Sequence, residues 1–356
     1  MKAIGYLHPS KIDQTDALID IELAKPIALG HDLLIKVQAI SVNPVDTKVR
    51  ANKSPIAGEY KILGWDGVGE VVATGELVES FNIGDQVWYA GDITRAGTNA
   101  EFQLVDERIV GNKPQSLSNT QAAALPLTAI TAWELLFDRL GLATILPNND
   151  DAQAHIKQDE FTIKNKPQEH ILIIGAAGGV GSILVQLAAK LTNAKVIGTA
   201  SRPESKEWVE SLGADFVINH HQPILAQLNA LGINEVSHVI SLTHTDQHFA
   251  QIVEVIAPQG KFALIDDPAT PLDIMQLKMK AVSLHWESMF TRSMFTTWDM
   301  QKQQQLLNQL SMLVDQGVIK TTIGEHFGQI NAANLRRAHA HIESHSMVGK
   351  IVLEGF

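Results

Sequence analysis

The sequence predicts an α/β protein, a doubly wound parallel sheet joined to a second, mostly β domain. Three observations predict it. Residues 171–182 read ILIIGAAGGVGS, an apolar strand running into a glycine turn and then into the helical pattern ILVQLAAKL. From there to residue 286 strand-like and helix-like segments alternate. Residues 1–125 instead hold short apolar or alternating runs separated by Gly and Pro. Alternation implies a parallel sheet covered by helices, whereas short strands with frequent turns imply an antiparallel β domain.

In chain order, Leu33–Ala39 (LLIKVQA) and Gly67–Thr74 (GVGEVVAT) read as strands. Phe81–Tyr89 (FNIGDQVWY) places a turn at Gly84-Asp85 before another strand, and Ala100–Val105 (AEFQLV) is a further one. At Ser118 the character changes. SNTQAAALPLTAITAWELLFDRL is helical, with Ser118 as N-cap and Pro126 as a break or kink. Residues 143–168 form a polar insertion without a clear period, which reads as a surface excursion.

In the alternating segment the expected strands are 171–174, 195–200, 215–219, 236–242, 261–266 and 281–286. The expected helices are 179–192, 203–212, 222–230, 246–257 and 272–279. A helix follows at 299–316, and GKIVL (349–353) closes the chain as a strand that returns to the first domain.

The glycine turn has a physical purpose at each position. A helix N-terminus presents unpaired N–H groups and a partial positive charge, which suits a pyrophosphate. Ala177, Gly178, Gly179, Val180 and Gly181 form that cradle, because glycine lets backbone and phosphate approach closely. The second strand, KVIGTA (195–200), ends where the ribose is read. An acidic residue there binds the 2′-hydroxyl of NAD, but this chain has Ser201 and Arg202, with Lys206 nearby. A hydroxyl and a guanidinium suit a 2′-phosphate, so NADP(H) is the expected cofactor. The plainer reading is that Ser201 caps the next helix and Arg202 is solvated.

Composition excludes several classes. With 356 residues two domains are expected, and no apolar run approaches a membrane span. The net charge of −11 argues against a nucleic-acid binder. The absence of cysteine excludes disulfides, thiolate catalysis and Cys-ligated zinc. Met1–Tyr6 enters a strand directly, without a basic and then apolar leader, so a cytoplasmic protein is expected.

The glycine turn aligns with SVNPVDTKVR (41–50), LGWDGVGEV (63–71), LPLTAITAWELL (125–136) and GKIVL. With these motifs the chain resembles the medium-chain dehydrogenase/reductase superfamily. Within it the likeness is to the zinc-free quinone oxidoreductase and enone reductase branch, and to bacterial proteins catalogued as zinc-type alcohol dehydrogenase-like. It covers nearly the whole chain outside 143–168. It implies a GroES-like catalytic domain over 1–125 and 287–356, and a Rossmann cofactor-binding domain over 126–286.

In zinc-dependent members a Cys stands where this chain has Asn43, and a His-Glu pair where it has Trp65-Asp66. Asn and Trp cannot ligate zinc, and Asp46 with Asp66 makes a poor zinc site, so no zinc is expected. Without that Lewis acid, hydride transfer to a quinone or α,β-unsaturated carbonyl is the chemistry the resemblance implies. It places Asn43, Asp46 and Lys48 at the polar centre. Lys48 stabilises an enolate or holds the nicotinamide ribose, and Asp46 orients Lys48 or a ribose hydroxyl. Asn43-Pro44 also reads as plain turn chemistry, and Lys48 as a solvated lysine. Thr131 lies beside the nicotinamide by the same likeness. Trp65, Trp286, Met289 and Phe290 line the substrate side or are ordinary core.

Two further expectations concern partners and histidines. Relatives pair through an edge strand of the cofactor sheet, which makes a homodimer through 281–286 the expectation. His341 and His345, with His339 and Glu343 nearby, have helical i, i+4 spacing that suits either a metal or a solvated face. His220-His221, at a strand end, border the adenosine site or the surface. The competing functions are a zinc alcohol dehydrogenase and a non-catalytic NADPH-binding sensor.

Overall fold

The computed structural model describes residues 1–145 and 168–356, so the expected insertion at 143–168 lies, but for its ends, outside the described residues. The chain forms two compact units, residues 1–130 with 289–356, and residues 131–288.

The first segment supplies β1 (Lys2–Tyr6), β2 (Ile19–Glu22), β3 (Asp32–Val42), β4 (Lys61–Ile62), β5 (Gly67–Thr74), β6 (Gln86–Tyr89), β7 (Phe102–Asp106) and β8 (Val110–Asn112). The middle supplies β9 (His170–Ile174), β10 (Lys195–Thr199), β11 (Phe216–Ile218), β12 (Val236–Ser241), β13 (Ile256–Leu264) and β14 (Ser283–Trp286). The end supplies β15 (Ile323–His326) and β16 (Lys350–Glu354).

In the first unit the larger sheet runs β15-β16-β3-β5-β6-β8, with β7 also on β3. The long β3 is its hub, antiparallel to β5, β7 and β16. The last strand therefore does return to the first unit, through pairs such as Val352–Ser41. Leu33, Ile35, Val71, Val87 and Val105 face one core. β2, β4, β8 and β15 are too short to show a period in the sequence. Helix α1 (Pro44–Asn52) follows β3, and α2 (Asn119–Ala123) is opened by Ser118. Ser118 Oγ accepts from Gln121 N at 3.2 Å, while Gln121 Oε1 accepts from Ser118 N at 3.0 Å. That reciprocal pair explains why the helix starts where SNTQ occurs. Pro126 does not kink a continuing helix. It opens a new one, α3 (Pro126–Trp133), which runs into a π-helical segment at Glu134–Arg139.

The second unit is a parallel sheet in the order β11-β10-β9-β12-β13-β14. The strand order reverses between β9 and β12, the switch point where ligands of such sheets bind. Helices α4 (Gly179–Leu191), α5 (Pro203–Ser211), α6 (Ile224–Ala230) and α7 (Thr245–Val255) separate the strands near the expected places. Two expected elements differ. β13 begins at Ile256, directly after α7, because Ile256 pairs with Val236 before the register shifts. Residues 274–280 form a 3₁₀ turn, whose Lys280 donates to the carbonyls of Val253, Glu254 and Ile256 at 2.8, 2.9 and 2.7 Å. A cation there satisfies the orphan carbonyls at the end of α7.

The remaining helices belong to the first unit: α8 (Thr291–Met294), α9 (Lys302–Asp315) and α10 (Ala332–Glu343). Among the described residues no helix is long and apolar enough to cross a membrane.

Candidate active site

The cofactor motif folds as its composition requires. β9 runs into Gly175, which has φ +85°, a conformation open to glycine at little cost. Gly178 is the N-cap of α4, and the first helical bond closes from Ser182 N to Gly178 O at 2.9 Å. The N–H groups of Gly179, Val180 and Gly181 precede that bond and belong to the unsatisfied first turn. Gly181 is sterically compulsory. A Cβ added there would lie 2.4 Å from Gly175 O and 2.5 Å from Ala176 O. Ser182, just behind, donates to Gly178 O at 2.7 Å and accepts from Trp208 Nε1 at 2.8 Å, which ties α5 to α4. Small residues and the first-turn N–H groups of a helix meet at this turn, the features that suit a pyrophosphate.

At the end of β10, Arg202 holds the cap position of α5 without a capping side-chain bond. Its guanidinium stands 3.6 Å from Glu204, and Lys206 stands 3.7 Å from Glu210. Thr131 is buried on α3. Trp286 lies on the edge strand β14 with 57% of its surface exposed, whereas Met289 and Phe290 are buried in the first unit.

The polar centre of the first unit is a buried cluster around Asn43. Asn43 ends β3 and precedes Pro44, whose fixed φ suits the first helical position of α1. Its Nδ2 donates to Asp66 Oδ2 at 2.7 Å. Lys350, at the start of β16, donates to Asn43 Oδ1 and, at 3.0 Å, to Asp66 Oδ2. Asp66 Oδ1 accepts from Leu127 N at 2.7 Å. Asn43, Asp66 and Lys350 are all buried, so the ion pair works in a low dielectric. Burial pushes the Asp66 carboxyl up, while the Lys350 ammonium and the two N–H donors hold it down.

Asp46 is equally buried. Its oxygens accept from Asn43 N at 2.7 Å and from Gly64 N at 2.9 Å, joining α1 to the turn before Trp65. Burial raises its pKa to about 7, against those two backbone donors and the charge of Lys350. Lys48, two residues further along α1, is exposed. The structure thus brings Asn43 and Asp46 together as a buried pair and leaves Lys48 as the exposed cation of the motif. Trp65 is fully buried, donates to Asp92 O at 3.2 Å and meets Phe290 edge-on at 5.9 Å.

Sequence reasoning had Lys350 only as part of a closing strand. Its one signal was a lysine at the start of an otherwise apolar run. A second buried group went unseen: Tyr6, Arg50 and His339, with Arg50 bonded to Glu343. The histidines of α10 do not share a face. His339 is buried, His341 stands 2.9 Å from Glu325, and His345 lies past the helix end at φ +55°.

Known proteins agree with this architecture. A family model described as an alcohol dehydrogenase GroES-like domain matches residues 30–115, and one described as a zinc-binding dehydrogenase matches residues 212–353. A zinc-type alcohol dehydrogenase-like protein of Staphylococcus aureus (strain MRSA252) is 37% identical over 357 residues, covering 99% of each chain. A 2-methylene-furan-3-one reductase of Solanum lycopersicum is 32% identical over 233 residues, 62% of this chain and 52% of that one. The solved structure of a Rhizobium etli CFN 42 protein assigned to the zinc-dependent alcohol dehydrogenases superposes with a TM-score of 0.91 at 52% identity, covering 100% of this chain and 98% of the other. By these matches the chain belongs to the medium-chain dehydrogenase/reductase superfamily of oxidoreductases.

Proposed function

We propose that this oxidoreductase uses NADPH to reduce quinones or α,β-unsaturated carbonyls without a metal. The observation that carries the reading is the Asn43–Asp66–Lys350 cluster. At the positions where zinc-dependent relatives have ligands, this chain has a buried amide, a buried indole and a carboxylate already paired with the Lys350 ammonium. That donor set does not fit zinc, which needs three protein ligands from Cys, His or carboxylate and would sit against a buried positive charge. The relative named as a 2-methylene-furan-3-one reductase supports a conjugated carbonyl as acceptor.

Bound at the glycine turn, NADPH supplies a hydride. The first-turn N–H groups of α4 hold its pyrophosphate, and Arg202 with Ser201 and Lys206 reads its 2′-phosphate. Ser201 is not the cap residue of α5. Lys48 donates to the acceptor oxygen as negative charge develops there. Asn43 and Asp46 are positioning residues that fix the first turn of α1 and so the direction of Lys48. In this reading β14, at the rim of its sheet, is the surface where a second copy adds. A monomer by light scattering would remove that part.

The test is oxidation of NADPH and NADH against quinones and short enones, with and without chelator. Chelator-resistant, NADPH-selective turnover is expected. Activity lost with chelator would revive zinc chemistry, and binding without turnover across the panel would make the protein a nucleotide sensor.

A further inference from the structure

Two helices of the second unit start behind the carboxyl ends of neighbouring parallel strands. α4 follows β9 and the glycine turn, and α5 follows β10, Ser201 and Arg202. A chain of hydrogen bonds joins them. Trp208 Nε1 of α5 donates to Ser182 Oγ at 2.8 Å, and Ser182 Oγ donates to Gly178 O at 2.7 Å. Gly178 is the N-cap of α4, and its carbonyl also accepts from Ser182 N at 2.9 Å. A serine hydroxyl has one proton to give. Gly178 O is nearer to it than Ala177 O, at 3.3 Å, so the indole bond continues into the cap peptide of the turn. Bonds linked in this way polarise one another.

α5 has few other holds. It has nine residues, short of what a helix needs to persist alone, and only Ser205 and Val209 within it are buried. Val209 lies against Gly198 of β10, where a Cβ would stand 2.6 Å from Val209 Cγ1 and 3.0 Å from Ala176 Cβ. That apolar contact sets how closely α5 approaches its strand, but it is not directional. The indole N–H is directional, and it fixes the rotation of α5 and hence the aim of Arg202 and Lys206 on the same segment.

We infer that Trp208 is a positioning residue that couples the two halves of the nucleotide site, with Ser182 as the relay. The inference rests on the proposed cofactor, with pyrophosphate at the first turn of α4 and 2′-phosphate at Ser201, Arg202 and Lys206. NADPH engages both helix starts at once, and the Trp208–Ser182–Gly178 chain holds their separation. NADH has no 2′-phosphate and does not call on Arg202 or Lys206. The turn that it shares with NADPH has supports of its own, since Gly175 N donates to Thr199 Oγ1 at 3.1 Å. Trp208 therefore governs discrimination between the two nucleotides, acting through α5.

The test is calorimetric titration of wild-type and variant protein with NADPH and with NADH. Trp208→Phe keeps an aromatic ring and removes the N–H. It should weaken NADPH about threefold to tenfold, the loss of one hydrogen bond, and NADH less than about twofold. Ser182→Ala should do the same, and the two changes together no more than either alone, as expected of one chain. In an Arg202→Ala/Lys206→Ala background, Trp208→Phe should leave NADPH affinity unaltered, because the side chains that it aims are gone. A merely structural role would instead weaken both nucleotides alike, or persist in that background, and either result overturns the inference. Should Trp208→Phe fail to fold, Ser182→Ala decides by the same ratio of affinities. If Arg202→Ala/Lys206→Ala binds NADPH as the wild type does, the cofactor reading falls and the inference with it. If that variant weakens NADPH and Trp208→Phe does not, the inference alone falls.

Discussion

Replacing Lys350 by Met tests whether its ammonium holds the centre of the first unit together. The change keeps an unbranched stem of similar volume, so the cavity contribution is small. Three acceptors lose a donor: Asp66 Oδ2 at 3.0 Å, which keeps Asn43 Nδ2, Val42 O at 3.3 Å and Asn43 Oδ1. Breaking a buried ion pair by removing one partner costs about 3–5 kcal/mol, because the remaining charge is left uncompensated. The sign with pH follows from Asp66. Burial already raises its carboxyl, and without the ammonium it rises further. A carboxyl raised on folding destabilises increasingly as pH climbs from the unfolded value of about 4 toward the folded one. Lys350→Met is therefore close to wild type in acid and loses several kcal/mol at alkaline pH, in urea unfolding followed by tryptophan emission. Buried Trp65 and Trp88 report this unit. Adding Asp66→Asn should recover much of the loss, since it removes the stranded charge. A single variant within about 1 kcal/mol of wild type at alkaline pH, or a double variant no better than the single, would refute the reasoning.

Other perturbations have equally definite outcomes. His339, pushed down to about 3 mainly by burial and also by Arg50, is neutral when folded and titrates normally when unfolded. Its contribution is complete above the unfolded value of about 6.5 and is lost as pH falls toward 3, so His339→Leu flattens the acid limb by about 2–3 kcal/mol between pH 6.5 and 4.5. Gly181→Ala drives a Cβ to within 2.4 Å of a backbone oxygen. It should cost about 1–3 kcal/mol and most of the NADPH-dependent thermal shift, and an unchanged shift would mean the turn does not cradle the nucleotide. Arg202→Ala removes a charge-assisted contact of about 1.5–3 kcal/mol, which weakens NADPH roughly tenfold to a hundredfold and spares NADH. Lys48→Ala lowers turnover by roughly a hundredfold with little change in NADPH affinity. Unchanged turnover removes Lys48 from the chemistry.

Much of this molecule was legible in one dimension because its determinants are local. A parallel strand, a glycine turn and a helix are written in twelve consecutive residues, 171–182, and Gly181 is needed for a reason that spans only six positions. The helix start at Ser118 is a four-residue pattern, and the parallel character of the second unit's sheet follows from the alternation of strands and helices. Elements of two to four residues, such as β4 and β15, are too short for periodicity, and the π-helical segment reads in sequence as a continuation of α3.

The candidate site divides along the same line. The residue types at 43, 65 and 66, and the absence of cysteine, were enough to argue against zinc from the sequence. That Lys350 places an ammonium beside Asn43 and Asp66 depended on β16 pairing with β3, which brings together residues 307 positions apart. Likewise His339 sits on a helix face whose burial no local pattern announces. Backbone geometry and steric need are short-range and can be read from spacing. Desolvation and Coulomb energy depend on which side chains the fold places within a few ångströms, and only the tertiary structure decides that.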